Sequence, residues 1–149
     1  MTAAAFREAR RDEVAAVLAL LRDDMLGQAR EAGDLAPYLA AWDAMQAEAA
    51  NHLVVGLLGG EVIACYQITV ISGLSLRAAR RAQIEGVRVR PDLRGRGIGA
   101  ALIRDAESRA RAAGCTLLQF TTNRGRTDAH RFYDRLGFTP SHIGYKKSL

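Results

Sequence analysis

Residues 94–100 read Arg94-Gly95-Arg96-Gly97-Ile98-Gly99-Ala100, a glycine-rich stretch between two segments of different periodicity. Before it, residues 84–90 form an apolar, strand-like run that Pro91 closes. After it, apolar residues recur at four-residue steps, as on one face of an amphipathic helix: Ile98, Leu102, Ala106 and Ala110. Strand, glycine-rich turn and helix together predict a phosphate site, because glycines let the backbone approach an anion and the helix N-terminus attracts it. Arg94 and Arg96 add positive charge, so we expect a ligand with a pyrophosphate.

The common nucleotide motifs fit this turn poorly. No Gly-Lys-Ser/Thr occurs in the chain, which excludes a Walker A loop. A dinucleotide-binding fingerprint tolerates Ala100 as its third small residue, so the glycines alone leave it open. However, no Asp or Glu closes a second strand about twenty residues later, where residues 115–122 end in Asn123.

The pattern that fits is Arg-x-x-Gly-x-Gly, formed by Arg94, Gly97 and Gly99. Here the chain resembles the Gcn5-related N-acetyltransferases (GNAT), in which this turn holds the pyrophosphate of acetyl-CoA. Further along, a strand over residues 116–122 precedes Asn123 and a short helix, and residues 129–138 (AHRFYDRLGF) resemble the closing motif of that family. The resemblance runs from Leu53 to the C-terminus and implies acetyl-CoA as the acyl donor.

The resemblance also implies site residues. Tyr133 would protonate the departing thiolate, and Asn123 would contact the pantetheine arm. From the residues themselves, Glu85 could take a proton from an attacking amine, directly or through water. Gly86 predicts a β-bulge that exposes backbone N–H groups of Val87 and Val89 to the thioester and the pantetheine. The predicted cofactor-binding residues are Val87, Val89, Arg94, Gly95, Arg96, Gly97, Ile98, Gly99, Ala100, Asn123 and Tyr133.

Each proposed catalytic residue has a structural alternative. Glu85 could be an exposed strand carboxylate paired with one of the many arginines. Tyr133 could be a core tyrosine on the apolar side of its helix. Cys65 and Cys115 sit in apolar runs and are predicted to be buried, with Cys115 as a nucleophile the remaining possibility. The three histidines, His52, His130 and His142, are too scattered to predict a metal site, although His130 lies near the proposed chemistry.

The periodicities predict one N-acetyltransferase domain over residues 1–149. We expect a first strand over residues 6–9, helices from Arg11 and over residues 36–50, and a hairpin over residues 53–71 with a Gly59-Gly60 turn. A basic loop over residues 72–81, the strand and helix of the phosphate turn, a strand, a helix ending at Gly137 and a strand over residues 142–147 complete the chain. The order βααβββαβαβ gives an α/β (α+β) fold with a mixed, mostly antiparallel sheet flanked by helices, as the resemblance implies.

Composition fits an ordinary globular enzyme. Of 149 residues, 49% are hydrophobic and 25% charged, and no apolar run approaches the roughly 20 residues that span a bilayer. With no signal-like N-terminus either, we expect a cytoplasmic protein without a membrane partner. The net charge is +5, and all basic residues except Lys146 and Lys147 are arginine. The basic stretch around the glycine turn has no interleaved aromatic residues on which bases could stack, so we do not expect a nucleic-acid partner. We expect the arginines other than Arg94 and Arg96 to be solvated.

The acceptor is less well defined. We predict the primary amine of a small molecule, held by the first two helices and the loop after Ile71; candidate lining residues are Met25, Tyr38, Trp42 and Arg77. The C-terminal third is most similar to aminoalkylphosphonate acetyltransferases, which favours an amine bearing an anionic group. The alternatives are a protein N-terminal or lysine acetyltransferase, and a non-catalytic acyl-CoA- or nucleic-acid-binding module. A homodimer is possible.

Overall fold

The structure is a computed structural model that describes residues 3–23 and 33–149. The chain divides into two compact units, Met1–Gln119 and Phe120–Leu149. The first unit contains the whole β-sheet, and the second contains one helix and the C-terminal segment. Within the described ranges, no helix has both the length and the apolar character needed to cross a membrane.

The sheet has five strands in the order β1-β2-β3-β4-β5. Neighbouring strands are antiparallel except β4 and β5, which are parallel. This arrangement confirms the predicted mixed, mostly antiparallel sheet. The strands are β1 (Ala5–Glu8), β2 (Asn51–Leu58), β3 (Glu61–Ile71), β4 (Arg81–Val89) and β5 (Leu117–Gln119).

Five helices accompany the sheet in the described part of the chain. The described part of the chain also has two one-turn 3₁₀ helices. Arg11–Glu13 comes directly before α1, and Pro91–Leu93 comes directly before the glycine turn. The helix predicted to stop at Gly137 ends at Arg135, two residues before Gly137, whose φ is +90°. The helices are α1 (Val14–Leu21), α2 (Ala36–Ala47), α3 (Ser75–Ala78), α4 (Ile98–Ala112) and α5 (Thr127–Arg135).

Helices α1 and α4 pack on opposite faces of the sheet. Cys65 of β3 belongs to the cluster formed with α1, whereas its neighbour Tyr66 reaches α4, and successive residues of a strand point to opposite faces. The predicted apolar face of α4 is confirmed, since Leu102, Ala106 and Ala110 are buried.

A partly buried chain of polar side chains holds α4 in place. The hydroxyl of Tyr66, which is fully buried, donates to Asp105 at 2.5 Å. Arg109 donates to the same carboxylate at 2.7 Å and to the backbone carbonyl of Phe6 in β1 at 3.3 Å. Burial, together with this hydrogen bond, raises the pKa of Tyr66, so the phenol keeps its proton. The helix that begins at the glycine turn is thereby tied to the middle and the edge of the sheet.

The structure corrects three element predictions. The strand expected over residues 116–122 is confined to Leu117–Gln119, and the loop expected over residues 72–81 contains α3 and ends where β4 begins at Arg81. The strand expected over residues 142–147 is absent from the described C-terminal segment. A strand forms only where a neighbour takes up its backbone hydrogen bonds, and these exposed residues pair with no described strand.

Helix α3 has a conformation that the sequence did not indicate. Leu76, Arg77 and Ala78 have φ between +53° and +59°, the left-handed region. Each such residue costs about 1–2 kcal/mol, because Cβ crowds the following carbonyl oxygen. The turn also leaves Leu74 and Leu76 exposed, at 93% and 70% of their surface. Backbone strain is therefore concentrated in the connection between β3 and β4.

Candidate active site

A β-bulge interrupts β4 beside the glycine turn. In the register of β3 against β4, Gln67 lies opposite Glu85 but Cys65 lies opposite Arg88, so β4 carries one extra residue. Gly86 lies inside this irregularity with φ +59°, where a side chain would be strained. The bulge predicted at Gly86 is therefore confirmed. It bends the strand and increases its local twist just before the turn.

Beyond the bulge, one side of β4 has no described strand as a neighbour. The pairing of β4 with β5 ends at Gln83 opposite Gln119. On the other side, the N–H of Arg90 donates to the carbonyl of Ile63 in β3 at 2.8 Å. Because successive N–H groups of a strand point to opposite sides, those of Val89 and Val87 point away from β3. On that side, these two predicted amides have no described strand as a hydrogen-bonding neighbour.

The glycine turn leaves the first amides of α4 without helical partners. Gly97 precedes the helix with φ +82°, and the carbonyl of Gly97 accepts the N–H of Ala101 at 3.0 Å. The amides of Ile98, Gly99 and Ala100 therefore come before this first helical bond. A Cβ atom at Gly97 would meet nothing within 4 Å. Three convergent N–H groups at the positive end of a 15-residue helix, beside open space, suit a phosphate.

The charges around the turn favour an anion. Arg94 and Arg96 are exposed, and within the described ranges neither forms an ion pair. The nearby carboxylate of Asp92 accepts a hydrogen bond from Arg90 at 2.7 Å. This bond, with a smaller contribution from Arg96, holds the pKa of Asp92 below its usual range. Asp92 is therefore already neutralised by Arg90. Arg94 donates its Nε–H to the carbonyl of Val89 at 3.2 Å, and its terminal nitrogens and Arg96 have no described carboxylate partner.

Glu85 is an exposed carboxylate at the edge of the bulge. Among the residues that the structure describes, no hydrogen bond or ion pair involves the Glu85 side chain. The alternative in which an arginine pairs with Glu85 therefore finds no support in that part of the chain. Glu85 projects from the face of the sheet that carries Gln67, which lies opposite it, and α1.

The second unit holds the other two predicted residues. The side-chain carbonyl of Asn123 accepts the N–H of Gly125 at 2.9 Å, so its amide nitrogen is the group left to donate. Tyr133 of α5 is half-buried, and its ring centroid lies 4.2 Å from that of Phe120 and 5.8 Å from that of Phe138. His130 Nε2 lies 3.0 Å from the carbonyl oxygen of Asn123. Aromatic packing thus orients the Tyr133 ring within this unit.

Both cysteines are buried, as predicted. Burial raises the pKa of the Cys65 thiol to about 12, so this thiol stays protonated and unreactive at neutral pH. Cys115 follows the C-terminal end of α4, about 22 Å of helix away from the glycine turn. Its position lends no support to Cys115 as an acetyl-accepting nucleophile.

The predicted acceptor residues lie on separate elements. Tyr38 and Trp42 are half-buried on α2, Arg77 lies in the left-handed turn of α3, and Met25 lies outside the described residues. Sequence analysis missed the polar side chains that share the face of Glu85, namely Arg81, Gln83 and Gln119. The alternation of polar Arg81, Gln83 and Glu85 with buried Ala82 and Ile84 is a signal that could have revealed them.

Comparison with known proteins identifies the family. Residues 14–138 match the model of the acetyltransferase (GNAT) family. The chain is 38% identical over 98 residues to an aminoalkylphosphonate N-acetyltransferase of Salmonella typhimurium; the match covers 66% of this chain and 63% of that relative's length. Among solved structures, a transcriptional regulator from Bacillus halodurans C-125 has a TM-score of 0.93 at 37% identity, covering 98% of this chain and 99% of that one. A putative acetyltransferase from Agrobacterium tumefaciens has a TM-score of 0.86 at 25% identity, with coverages of 97% and 99%.

The chain belongs to the acetyltransferase (GNAT) family. The predicted family, fold class and acetyltransferase class are therefore confirmed.

The glycine turn can be tested by ligand-induced stabilisation. A ligand that binds only the native state raises its melting temperature, and we expect acetyl-CoA to do so. In Gly97→Asp a side chain and a negative charge occupy the phosphate position, so the shift should vanish in a differential scanning fluorimetry titration. Gly60→Asp is a matched control, since Gly60 has φ +83° and equally open surroundings in the β2–β3 hairpin. It should lower stability but keep the shift; a full shift in Gly97→Asp would contradict the assignment.

Proposed function

We propose that this protein is an acetyl-CoA-dependent N-acetyltransferase that transfers the acetyl group to the primary amine of a small molecule by direct attack on the thioester. The observation that carries the proposal is the course of β4. The open-side amides of Val87 and Val89, the Glu85 carboxylate, which has no partner among the described residues, and the glycine turn all lie within or directly after this one strand.

The first part of the proposal concerns the donor. The pyrophosphate of acetyl-CoA would rest on residues 94–100, held by the first amides of α4 and by Arg94 and Arg96. The pantetheine amides and the thioester carbonyl would accept hydrogen bonds from Val87 and Val89. An amide that donates to the thioester oxygen stabilises the negative charge that develops there during attack. Asn123 would contact the pantetheine arm, as the family resemblance implies.

Two side chains would move protons. Glu85 would take the proton of the attacking ammonium, directly or through one water molecule, since its carboxylate is exposed and unpaired in the described part of the chain. Tyr133 would donate a proton to the departing thiolate, a role that rests on the family resemblance. Its packing against Phe120 and Phe138 would hold the ring in one orientation.

Two observations favour a small amine over the alternatives. The relative from Salmonella typhimurium is an aminoalkylphosphonate N-acetyltransferase, which makes an amine with an anionic group the first candidate. The similar structure called a transcriptional regulator raises nucleic-acid binding instead. Against that alternative, the arginine-rich stretch over residues 77–96 contains no aromatic residue on which a base could stack. The single domain, the homodimer and the cytoplasmic location stay predictions.

The base is tested by the pH dependence of turnover. Thiol release from acetyl-CoA would be measured with aminoalkylphosphonates, polyamines, amino acids and aminoglycosides, and we expect turnover with at least one. An amine with a pKa near 10 is almost fully protonated at pH 7, so Glu85→Gln should lower kcat/KM by about 10²-fold or more near neutrality. The loss should shrink as the pH rises and free amine accumulates. Glu8→Gln, at an exposed carboxylate of β1, is the control; an equal loss at every pH would contradict the base role.

The acid is tested by removing a single hydroxyl group. Tyr133→Phe keeps the ring and its contacts with Phe120 and Phe138, so stability and acetyl-CoA affinity should be nearly unchanged. Without the proton donor, kcat should fall by about 10²–10⁴-fold in steady-state thiol release. Phe132→Tyr, on the same helix, is a control that leaves the Tyr133 hydroxyl in place. Unchanged turnover in Tyr133→Phe would reduce Tyr133 to a packing residue.

A further inference from the structure

A polar row runs along β4 next to the proposed reaction centre. Arg81, Gln83 and Glu85 alternate with the buried residues Ala82 and Ile84, so their side chains share one face of the sheet. Helix α1 packs on the same face of the sheet, against Cys65 of β3. The three side chains form a series of a cation, a neutral amide and a carboxylate.

The middle of the row is a pair of amides. Gln83 lies opposite Gln119 of β5, and its side-chain oxygen accepts a hydrogen bond from Gln119 at 3.1 Å. In the described part of the chain, the amide nitrogen of Gln83 and the amide oxygen of Gln119 have no further partner. One donor and one acceptor side by side complement an amide or hydroxyl group, which carries the opposite pair.

The cationic end of the row is unusual. The Nε atom of Arg81 is buried, and no residue that the structure describes accepts its hydrogen bond. A buried N–H without an acceptor costs free energy, so native structures rarely keep one without a reason. The side chain is nevertheless half-buried rather than enclosed, and no described carboxylate forms an ion pair with it. A ligand carrying a negative charge would pair with the part of the guanidinium group that remains exposed.

The distance between the two ends sets the length of that ligand. Arg81 and Glu85 are four residues apart on β4, so their Cα atoms are separated by about 13 Å. The NH1 atom of Arg81 lies beside Gly73, 3.7 Å from where a Cβ atom of that residue would be. Gly73 comes two residues after Ile71, the last residue of β3. Ile71 pairs with Arg81, whereas Gln67, four residues earlier in β3, pairs with Glu85. The guanidinium group therefore leans away from Glu85.

We propose that Arg81, Gln83 and Gln119 form the acceptor subsite, and that it takes a linear primary amine with an amide- or hydroxyl-bearing body and an anionic end about 13 Å or more from the amine. The inference rests on the proposed function, because it takes Glu85 as the group that meets the amine. The three positions follow in order along one strand: the amine at Glu85, the body at the glutamine pair and the anion at Arg81. A short aminoalkylphosphonate, whose charges lie only a few bonds apart, would not reach both ends.

The test uses glycine peptides as probes of known length. Extended chains span about 3.3–3.6 Å per residue, so tetraglycine and pentaglycine bridge the proposed distance and diglycine does not. Thiol release from acetyl-CoA would be measured with each peptide and with its C-terminal amide, which lacks the negative charge. The ratio of kcat/KM for carboxylate over amide should be about tenfold to hundredfold for the two longer peptides, as expected for a charge-assisted hydrogen bond. The ratio should be near one for diglycine, and also for 2-aminoethylphosphonate compared with ethanolamine.

Variants assign the preference to one side chain. Arg81→Gln should bring the ratio for the longer peptides close to one, because kcat/KM for the acids falls to the value for the amides, and Arg81→Lys should restore part of the ratio. Arg80→Gln is the matched control, because Arg80 is the exposed neighbour before β4, and it should keep the full ratio. A purely structural role of Arg81 would lower the turnover of acids and amides alike.

Three results would overturn the inference. They are a ratio that Arg81→Gln leaves unchanged, a charge preference for 2-aminoethylphosphonate that Arg81→Gln removes, and glycine peptides that are not acetylated while another amine is. In each case acetyl transfer itself still occurs, so the proposed function stands. Absence of thiol release with every amine of the panel would instead remove the proposed function and this inference together.

Discussion

The backbone of β4 beyond Gln83 is hydrogen-bonded on one side only in the described part of the chain, and the candidate site depends on this constraint. Parallel pairing with β5 lasts three residues, after which the N–H groups of Val87 and Val89 point away from β3. Unpaired backbone donors within a sheet are costly unless a ligand or water satisfies them. The Gly86 bulge bends the strand between the Glu85 carboxylate and these two amides.

The rest of the first unit keeps the glycine turn at the end of that strand. Tyr66 and Arg109 hold Asp105 of α4, and Arg109 also reaches the backbone of β1. A helix fixed in this way presents its N-terminal amides in a constant direction. Preorganised donors stabilise developing charge without reorganising during the reaction. The polar chain beneath α4 thus serves the site, although none of its side chains belongs to it.

Much of the candidate site could be predicted from the sequence, because its determinants are local. Gly97 marks a left-handed residue before a helix, and Gly86 marks a bulge within a strand; each is recognised from its immediate neighbours. The proposed role of Arg81 could not be predicted in the same way, since the position of Arg81 in the sheet depends on pairing with Ile71, ten residues earlier, and Leu117, 36 residues later. The strand expected over residues 142–147 was wrong for a similar reason. Alternating side chains indicate a strand only when a partner strand is present.

Amide hydrogen exchange with and without acetyl-CoA tests the central claim most directly, because it reports on individual N–H groups. Resolved by NMR, the amides of Val87, Val89, Ile98, Gly99 and Ala100 should exchange rapidly in the free protein. Saturating acetyl-CoA should protect all five, since each would donate to the cofactor. The exchange rates of the first amides of α1 and of the amides in the β2–β3 hairpin should be nearly the same with and without acetyl-CoA. Protection elsewhere, with these five amides still exchanging as in the free protein, would contradict the account.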